Sequence, residues 1–475
     1  MLFSSLIFLI YFLPIVLIGY YILPKAVKNY WLLILSLAFY AWGAFDFIVM
    51  MIIAIIFNYL CAIGIDLSKN ERIRKLILIL SVMANIMLLF NHKYMNFITG
   101  LLHKYISDSI APTHNVLPIG ISFFTFQAMS YVIDVYRKKV PVQKNIYYLG
   151  LYISFFPQLI AGPIVRYIDI EKQIENRKTT LNQFCDGVSR FMRGFCSKIL
   201  FANTFAVIAD DAFNQCNTNT SKMGIVFAWI GAISYSMQIY FGFSGYSSMA
   251  IGLGKMFGFE FMENFNFPYM AKSITDFWRR WHISLSSWFR DYVYIPLGGS
   301  RVNKKWKLYR NLFVVWLLTG IWHGANFTFL IWGLGYFVLL SIEKFVDMEK
   351  INKISVISVL YRIYTLVCIC LLWVIFRADD LHYAWRYLGI LYGRYGNPVM
   401  DQSAIKYLID YKIFFAIAIL FCTPIFLNIK EAIKKKFEWG WLIDTVYDFL
   451  LLIGLVLSVS SLVMGANNPF IYFNF

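Results

Sequence analysis

The sequence predicts an all-α polytopic membrane protein of about 10–12 spanning helices, with further re-entrant or interfacial helices. It reads as one membrane-embedded domain over residues 1–475, with a functional core at about 117–345. Three observations carry this reading. Hydrophobic residues make up 60% of the 475 and charged residues only 15%, against roughly half and a quarter in soluble domains. The apolar residues form runs of span length, about 20 residues each. The Lys and Arg between those runs form short clusters that fall on one side when the runs are threaded alternately, as cytoplasmic loops do.

Taken in order, apolar runs occupy 3–23, 29–44, 47–65 and 74–91. Lacking a basic leading region and followed directly by more spans, the first reads as a retained helix and not a cleaved signal. Placing Lys25, Lys28 and the 69–75 cluster in the cytoplasm puts the N-terminus outside. A fifth run, 117–135, returns the chain to Arg137, Lys138, Lys139 and Lys144. Residues 155–167 are apolar but interrupted by Pro157, Gly162 and Pro163, which predicts a re-entrant or interfacial element, with a kinked helix as the alternative. A mixed-charge, amphipathic stretch at 166–178 follows. The runs 186–209 and 223–243 flank a polar loop at 210–221, and small and hydroxyl residues at 240–248 suit close helix packing or a lined cavity. Further runs at 311–323, 326–343, 355–376, 412–427 and 441–464 continue the alternation, leaving 344–353 and 430–438 inside and 377–412 outside.

Between residues 272 and 310 stand Lys272, Arg279, Arg280, Arg290, Arg301, Lys304, Lys305, Lys307 and Arg310, against Asp276 and Asp291. Interleaved with Trp278, Trp281, Trp288 and Trp306, and without a clean span, this stretch reads as interfacial helices on the cytoplasmic surface. Its basic residues suit the phosphates of a nucleotide-bearing donor and equally suit lipid headgroups. The net charge of +17 is distributed in such clusters, which suits an inner leaflet and argues against nucleic acid as a partner. The seven cysteines mostly lie in apolar surroundings, and the Cys368-Ile-Cys370 spacing matches no metal or redox motif, so neither disulfides nor a metal is expected.

Two histidines stand out. An ionisable residue flanked by apolar runs is expensive in a bilayer and marks function by default. His323 is that residue, and His282 is its expected partner. A plain hydrogen bond between packed helices is the competing role for each. Asn326, three residues after His323, is expected on the same helical face, where it would orient the imidazole.

The wording of several segments resembles the membrane-bound O-acyltransferase superfamily, in its alginate O-acetylation branch. The matching pieces are Leu117-Pro-Ile-Gly-Ile-Ser-Phe-Phe-Thr-Phe-Gln127 with Asp134-Val-Tyr-Arg137, residues 155–166, and Met262-Glu-Asn-Phe-Asn-Phe-Pro268. They continue through Phe277-Trp-Arg-Arg-Trp-His282 to Arg301, Trp322-His-Gly-Ala-Asn326, Trp332-Gly, Phe376-Arg377-Ala and Pro469-Phe-Ile-Tyr-Phe-Asn-Phe475. The chain departs from the family in carrying Gly242 and Ser248 where acidic residues are common.

The resemblance implies a ring of helices around a thin catalytic centre, with a tunnel where a cytoplasmic acyl donor meets an outside acceptor. It assigns catalysis to His323 and His282, with Trp322 and Asn326 in support, and Arg279, Arg280, Lys304 and Lys305 as candidates for the donor's phosphates. No cofactor is implied; acetyl-CoA or another acyl thioester enters as substrate. The implied partners are an extracytoplasmic acyltransferase and a polysaccharide acceptor, in a bacterial cytoplasmic membrane whose lipids surround the chain. D-alanyl transfer to teichoic acid is an alternative on the same core. A transporter using His323 in a proton relay is the alternative from another class.

Overall fold

The structure, a computed structural model, describes residues 1–160, 162–346, 348, 351, 354–436, 440–465 and 468. The 469–475 motif, Ala161 and parts of the 344–353 and 430–438 clusters lie outside these. Among the described residues every regular element is helical. Six stretches are long and apolar enough to cross a bilayer, seven if Gln402–Phe421 and Ile425–Lys436, bent by 63° at their break, form one span. The chain is therefore an all-α, multi-pass membrane protein. The higher expected count has a local reason. The runs 29–44 and 47–65 form two helices of 20 residues each, Lys25–Ala44 and Ile48–Leu67, parted by the short turn Phe45–Phe47, and other apolar runs fold into shorter helices. Ile121–Tyr136 has 16 residues, which at 1.5 Å each reach about 24 Å against a hydrocarbon core of about 30 Å.

Backbone contacts divide the chain into two compact units, Met1–Phe195 with Tyr246–Met262, and Cys196–Gly245 with Glu263–Phe475. In the first unit, Phe39 of the Lys25–Ala44 helix packs on Phe3, Phe8 and Phe156 with ring centroids 5.5–6.1 Å apart. The helices Ile48–Leu67 and Glu71–Lys93 are pinned by a buried amide pair. Asn85 Nδ2 donates to Asn58 Oδ1 at 2.9 Å, Asn58 Nδ2 donates back to Asn85 Oδ1 at 3.2 Å, and Ser81 Oγ adds a bond to Asn58 at 3.2 Å. Such polar pairs hold helices together where lipid provides no hydrophobic drive between them. The interrupted 155–167 run forms the four-residue helix Phe156–Leu159, with Pro157 in its first turn, and is buried along nearly its whole described length. Broken backbone at membrane depth needs such protein cover.

The second unit holds both histidines. Its two central helices, Lys305–His323 and Phe327–Glu343, fold back on one another across Gly324 to Asn326. Their close approach depends on paired glycines. A Cβ on Gly320 would lie 2.6 Å from the Phe329 carbonyl, and one on Gly333 would lie 2.5 Å from the Trp316 carbonyl. Around this pair, Trp278, Trp281, Trp316, Trp332, Tyr336 and Trp373 share one buried core.

The 272–310 stretch forms short pieces: Ile274–Arg280, Ile283–Phe289 and a π-helical turn, Arg290–Tyr294. Its tryptophans correct the expected interfacial role. Trp278, Trp281 and Trp288 are buried and Trp306 is exposed, because the bends between the short helices turn Trp278 and Trp281 into the aromatic core and Trp288 against Phe289 and Tyr292.

Candidate functional site

His323 ends its helix, since Gly324 adopts an extended backbone. Among the described residues, three aromatic rings meet the buried imidazole edge-on: Trp322 at 4.9 Å, Trp332 at 4.9 Å and Phe376 at 5.2 Å between centroids. Phe376 belongs to the Ser355–Arg377 helix, which Arg377 anchors by pairing with Asp210 at 2.5 Å and by stacking over Phe213 at 4.6 Å. The cage thus joins Trp322 and Trp332 of the helical hairpin to Phe376 of a later helix.

His282 also neighbours Trp322, with ring centroids 6.1 Å apart, and Phe243 meets it edge-on at 4.6 Å. It is 1% exposed and sits between two short helices in the left-handed region, with φ of 44°. That conformation costs a non-glycine residue about 1–2 kcal/mol, so its surroundings must enforce it. They do so through backbone bonds on either side, Asn266 N–H to the Arg280 carbonyl at 2.9 Å and Ile283 N–H to the Asn264 carbonyl at 3.0 Å. Burial pushes the imidazole pKa down to about 3, which keeps the ring neutral at physiological pH. The two histidines predicted from sequence therefore share one indole as neighbour. Trp322 fills that position.

Asn326 is placed differently from the expectation. The helix has already ended at His323, so the two residues share no helical face. Asn326 instead caps the next helix, accepting the Thr328 N–H at 3.1 Å, and its Nδ2 donates to the Asp379 carbonyl at 2.6 Å.

Arg279 and Arg280 do come together, in a cleft of about 450 Å³ that is also lined by Lys272, Lys344, Asp276 and Glu343. Asp276 accepts from Arg280 Nε at 3.0 Å, leaving Arg279 as the outward-reaching arginine, exposed at the rim. Glu343 forms the floor. Its buried carboxylate accepts the N–H groups of Ile274 and Thr275 at 2.6 and 2.8 Å and the Tyr361 hydroxyl at 3.2 Å, a charge seated at a helix N-terminus where the dipole favours it. Lys304 and Lys305 are exposed at the start of the Lys305–His323 helix and do not line this cleft. Lys272, part of the same basic stretch, and Lys344, from the next basic cluster, take their place. Only their basic character signalled them, and only folding brought them beside the arginines.

The chain is similar in sequence to several known proteins. The probable alginate O-acetylase AlgI of Pseudomonas aeruginosa is 45% identical over 391 residues, covering 81% of this chain and 74% of its own. The peptidoglycan O-acetyltransferase of Helicobacter pylori is 33% identical over 530 aligned positions, covering 100% of this chain and 98% of its own. The teichoic acid D-alanyltransferase of Bacillus subtilis is 33% identical over 256 residues, covering 51% and 62%. Residues 34–376, a stretch that contains both histidines, match the membrane-bound O-acyltransferase family, MBOAT, and the chain, an O-acyltransferase, belongs to that family.

Proposed function

We propose that this protein moves an acetyl group from acetyl-CoA, drawn from the cytoplasm, to hydroxyls of a cell-envelope polysaccharide outside a bacterial cytoplasmic membrane, acting with an extracytoplasmic acyltransferase partner. The observation that carries the proposal is His323, buried in an aromatic cage whose Trp322 also neighbours a second buried, neutral imidazole, His282. A hydroxyl is a weak nucleophile until a base takes its proton. His323 is that base. It takes the proton as the oxygen attacks the thioester carbonyl; the carbon–sulfur bond breaks, and the departing thiolate receives the proton from the imidazolium. The aromatic cage keeps water from competing for the thioester.

The cleft of Lys272, Arg279, Arg280 and Lys344 suits the phosphates of the donor, since guanidinium forks and ammonium groups bind phosphate oxygens with charge-assisted hydrogen bonds. Acetyl transfer is preferred over D-alanyl transfer because the two acetyl-transferring relatives align over far more of the chain than the D-alanyl-transferring one. Membership of an acyltransferase family leaves the transporter reading without support.

The test is release of free CoA thiol from acetyl-CoA by the full chain in nanodiscs, wild type beside His323→Ala and His282→Ala, with an added polysaccharide acceptor. Release by the wild type and its loss in a monodisperse His323→Ala variant is the expected result. Thiol release unchanged in that variant rules out His323 as the base, and no release with any acyl thioester overturns the proposal.

A further inference from the structure

His282 is held at both ends by one residue. Besides the backbone bond from Ile283, the side-chain oxygen of Asn264 faces His282 Nδ1 at 3.2 Å and accepts the Ser284 N–H at 3.1 Å and the Ser284 hydroxyl at 2.9 Å. A backbone N–H can only donate, so the Asn264 atom it meets is the amide oxygen and not the amide nitrogen. The Ser284 hydroxyl also lies 3.4 Å from Nδ1, but it gives its hydrogen to Asn264 at the shorter 2.9 Å, so the accepting Asn264 oxygen pairs with a hydrogen on His282 Nδ1. A neutral imidazole has one N–H, so Nε2 carries a lone pair. That nitrogen is buried and has no hydrogen-bond partner among the described residues. Among the described residues, Phe243, Trp322, Asn264 and Ser284 meet the ring, and none of them carries a charge that would protonate it.

We infer that Asn264 is a positioning residue: it locks His282 in the Nδ1–H tautomer and so presents Nε2 as a hydrogen-bond acceptor to a donor group of the bound substrates. That group is either the attacking hydroxyl or an amide N–H in the arm of the thioester. The inference rests on the acyl-transfer reading above. Asn264 then acts through His282, in the way that a partner of the second ring nitrogen sets which nitrogen is free to work.

The experiment has a structural and a kinetic half. Histidine ¹⁵N spectra of the full chain in nanodiscs, with His282 assigned by its loss in His282→Gln, report the protonated nitrogen without any substrate. The wild type should show Nδ1 protonated and Nε2 bare at neutral pH. Asn264→Asp, which keeps an oxygen opposite Nδ1, should retain that tautomer and turnover within about tenfold, whereas Asn264→Leu should lose the tautomer and about 100-fold in turnover, the scale of a misplaced catalytic group. Acetyl-CoA kinetics of His282→Gln separate the two sources. A raised KM for acetyl-CoA assigns Nε2 to the thioester arm, and an unchanged KM with transfer lost assigns it to the acceptor hydroxyl. A wild-type spectrum with the proton on Nε2 overturns the inference even if no Asn264 variant folds, as does an Asn264→Leu variant with normal turnover. Failure of the acyl-transfer reading shows separately, as absence of thioester consumption by the wild type.

Discussion

Gly333→Ala should damage both stability and turnover. The added methyl carbon would stand 2.5 Å from the Trp316 carbonyl oxygen and 3.1 Å from Gly320 Cα, both backbone atoms of the facing helix that no rotamer change can move. Opening the first contact to an ordinary 3.4 Å forces the helices Lys305–His323 and Phe327–Glu343 apart by nearly an ångström. Overpacking of this kind costs about 1–3 kcal/mol. The same displacement separates Trp332 from His323, whose rings are 4.9 Å apart, and misplacement on that scale lowers turnover by about 100-fold. Thermal unfolding in detergent and CoA release in nanodiscs read the two effects. Gly100→Ala is the control: it lies in the Met95–Tyr105 helix, and a Cβ there meets nothing within 4 Å, so it should be neutral or stabilising by up to about 1 kcal/mol. A Gly333→Ala variant that melts with the wild type and turns over within about twofold of it, well inside the misplacement penalty, would refute the close-packing account of the site.

Three further outcomes follow from other parts of the structure. Arg279→Ala should raise KM for acetyl-CoA about tenfold, the weight of one charge-assisted bond, while Lys304→Ala should leave it unchanged; equal effects would mean the cleft is not the donor site. Asn58→Ala removes the partner of Asn85 and Ser81 and should lower stability by about 1–3 kcal/mol with catalytic constants intact, measured by melting and by CoA release on the same preparation. The buried His282 predicts acid sensitivity. Its folded pKa, about 3, lies below the unfolded value near 6.5, so stability is full above about pH 6.5. As pH falls toward 3 the unfolded chain takes a proton that the folded one refuses. This removes up to roughly 1.4 kcal/mol per pH unit. Melting curves between about pH 6.5 and 5 should therefore slope more steeply for the wild type than for His282→Gln, and equal slopes would contradict the burial of a neutral ring.

What depends on composition and on neighbours along the chain is legible without the fold. Runs of apolar residues separated by basic clusters are enough to specify a multi-pass helical protein, because a bilayer tolerates little else. The rarity of ionisable groups inside such runs singled out His323, and His282 with it. The broken 155–167 segment was legible too, since Pro157 and Pro163 cannot continue a helix. What the sequence could not decide were contacts between residues far apart along it. Asn326 looked like a helical neighbour of His323 until Gly324 ended the helix between them. Trp278 and Trp281 looked interfacial because a tryptophan's preference for the membrane surface and its fitness for an aromatic core are the same in one dimension. Lys272 and Lys344 join Arg279, and Asn264 reaches His282, only because short helices bend the chain back on itself. Those bends depend on backbone bonds closed in three dimensions, and no spacing along the chain encodes them.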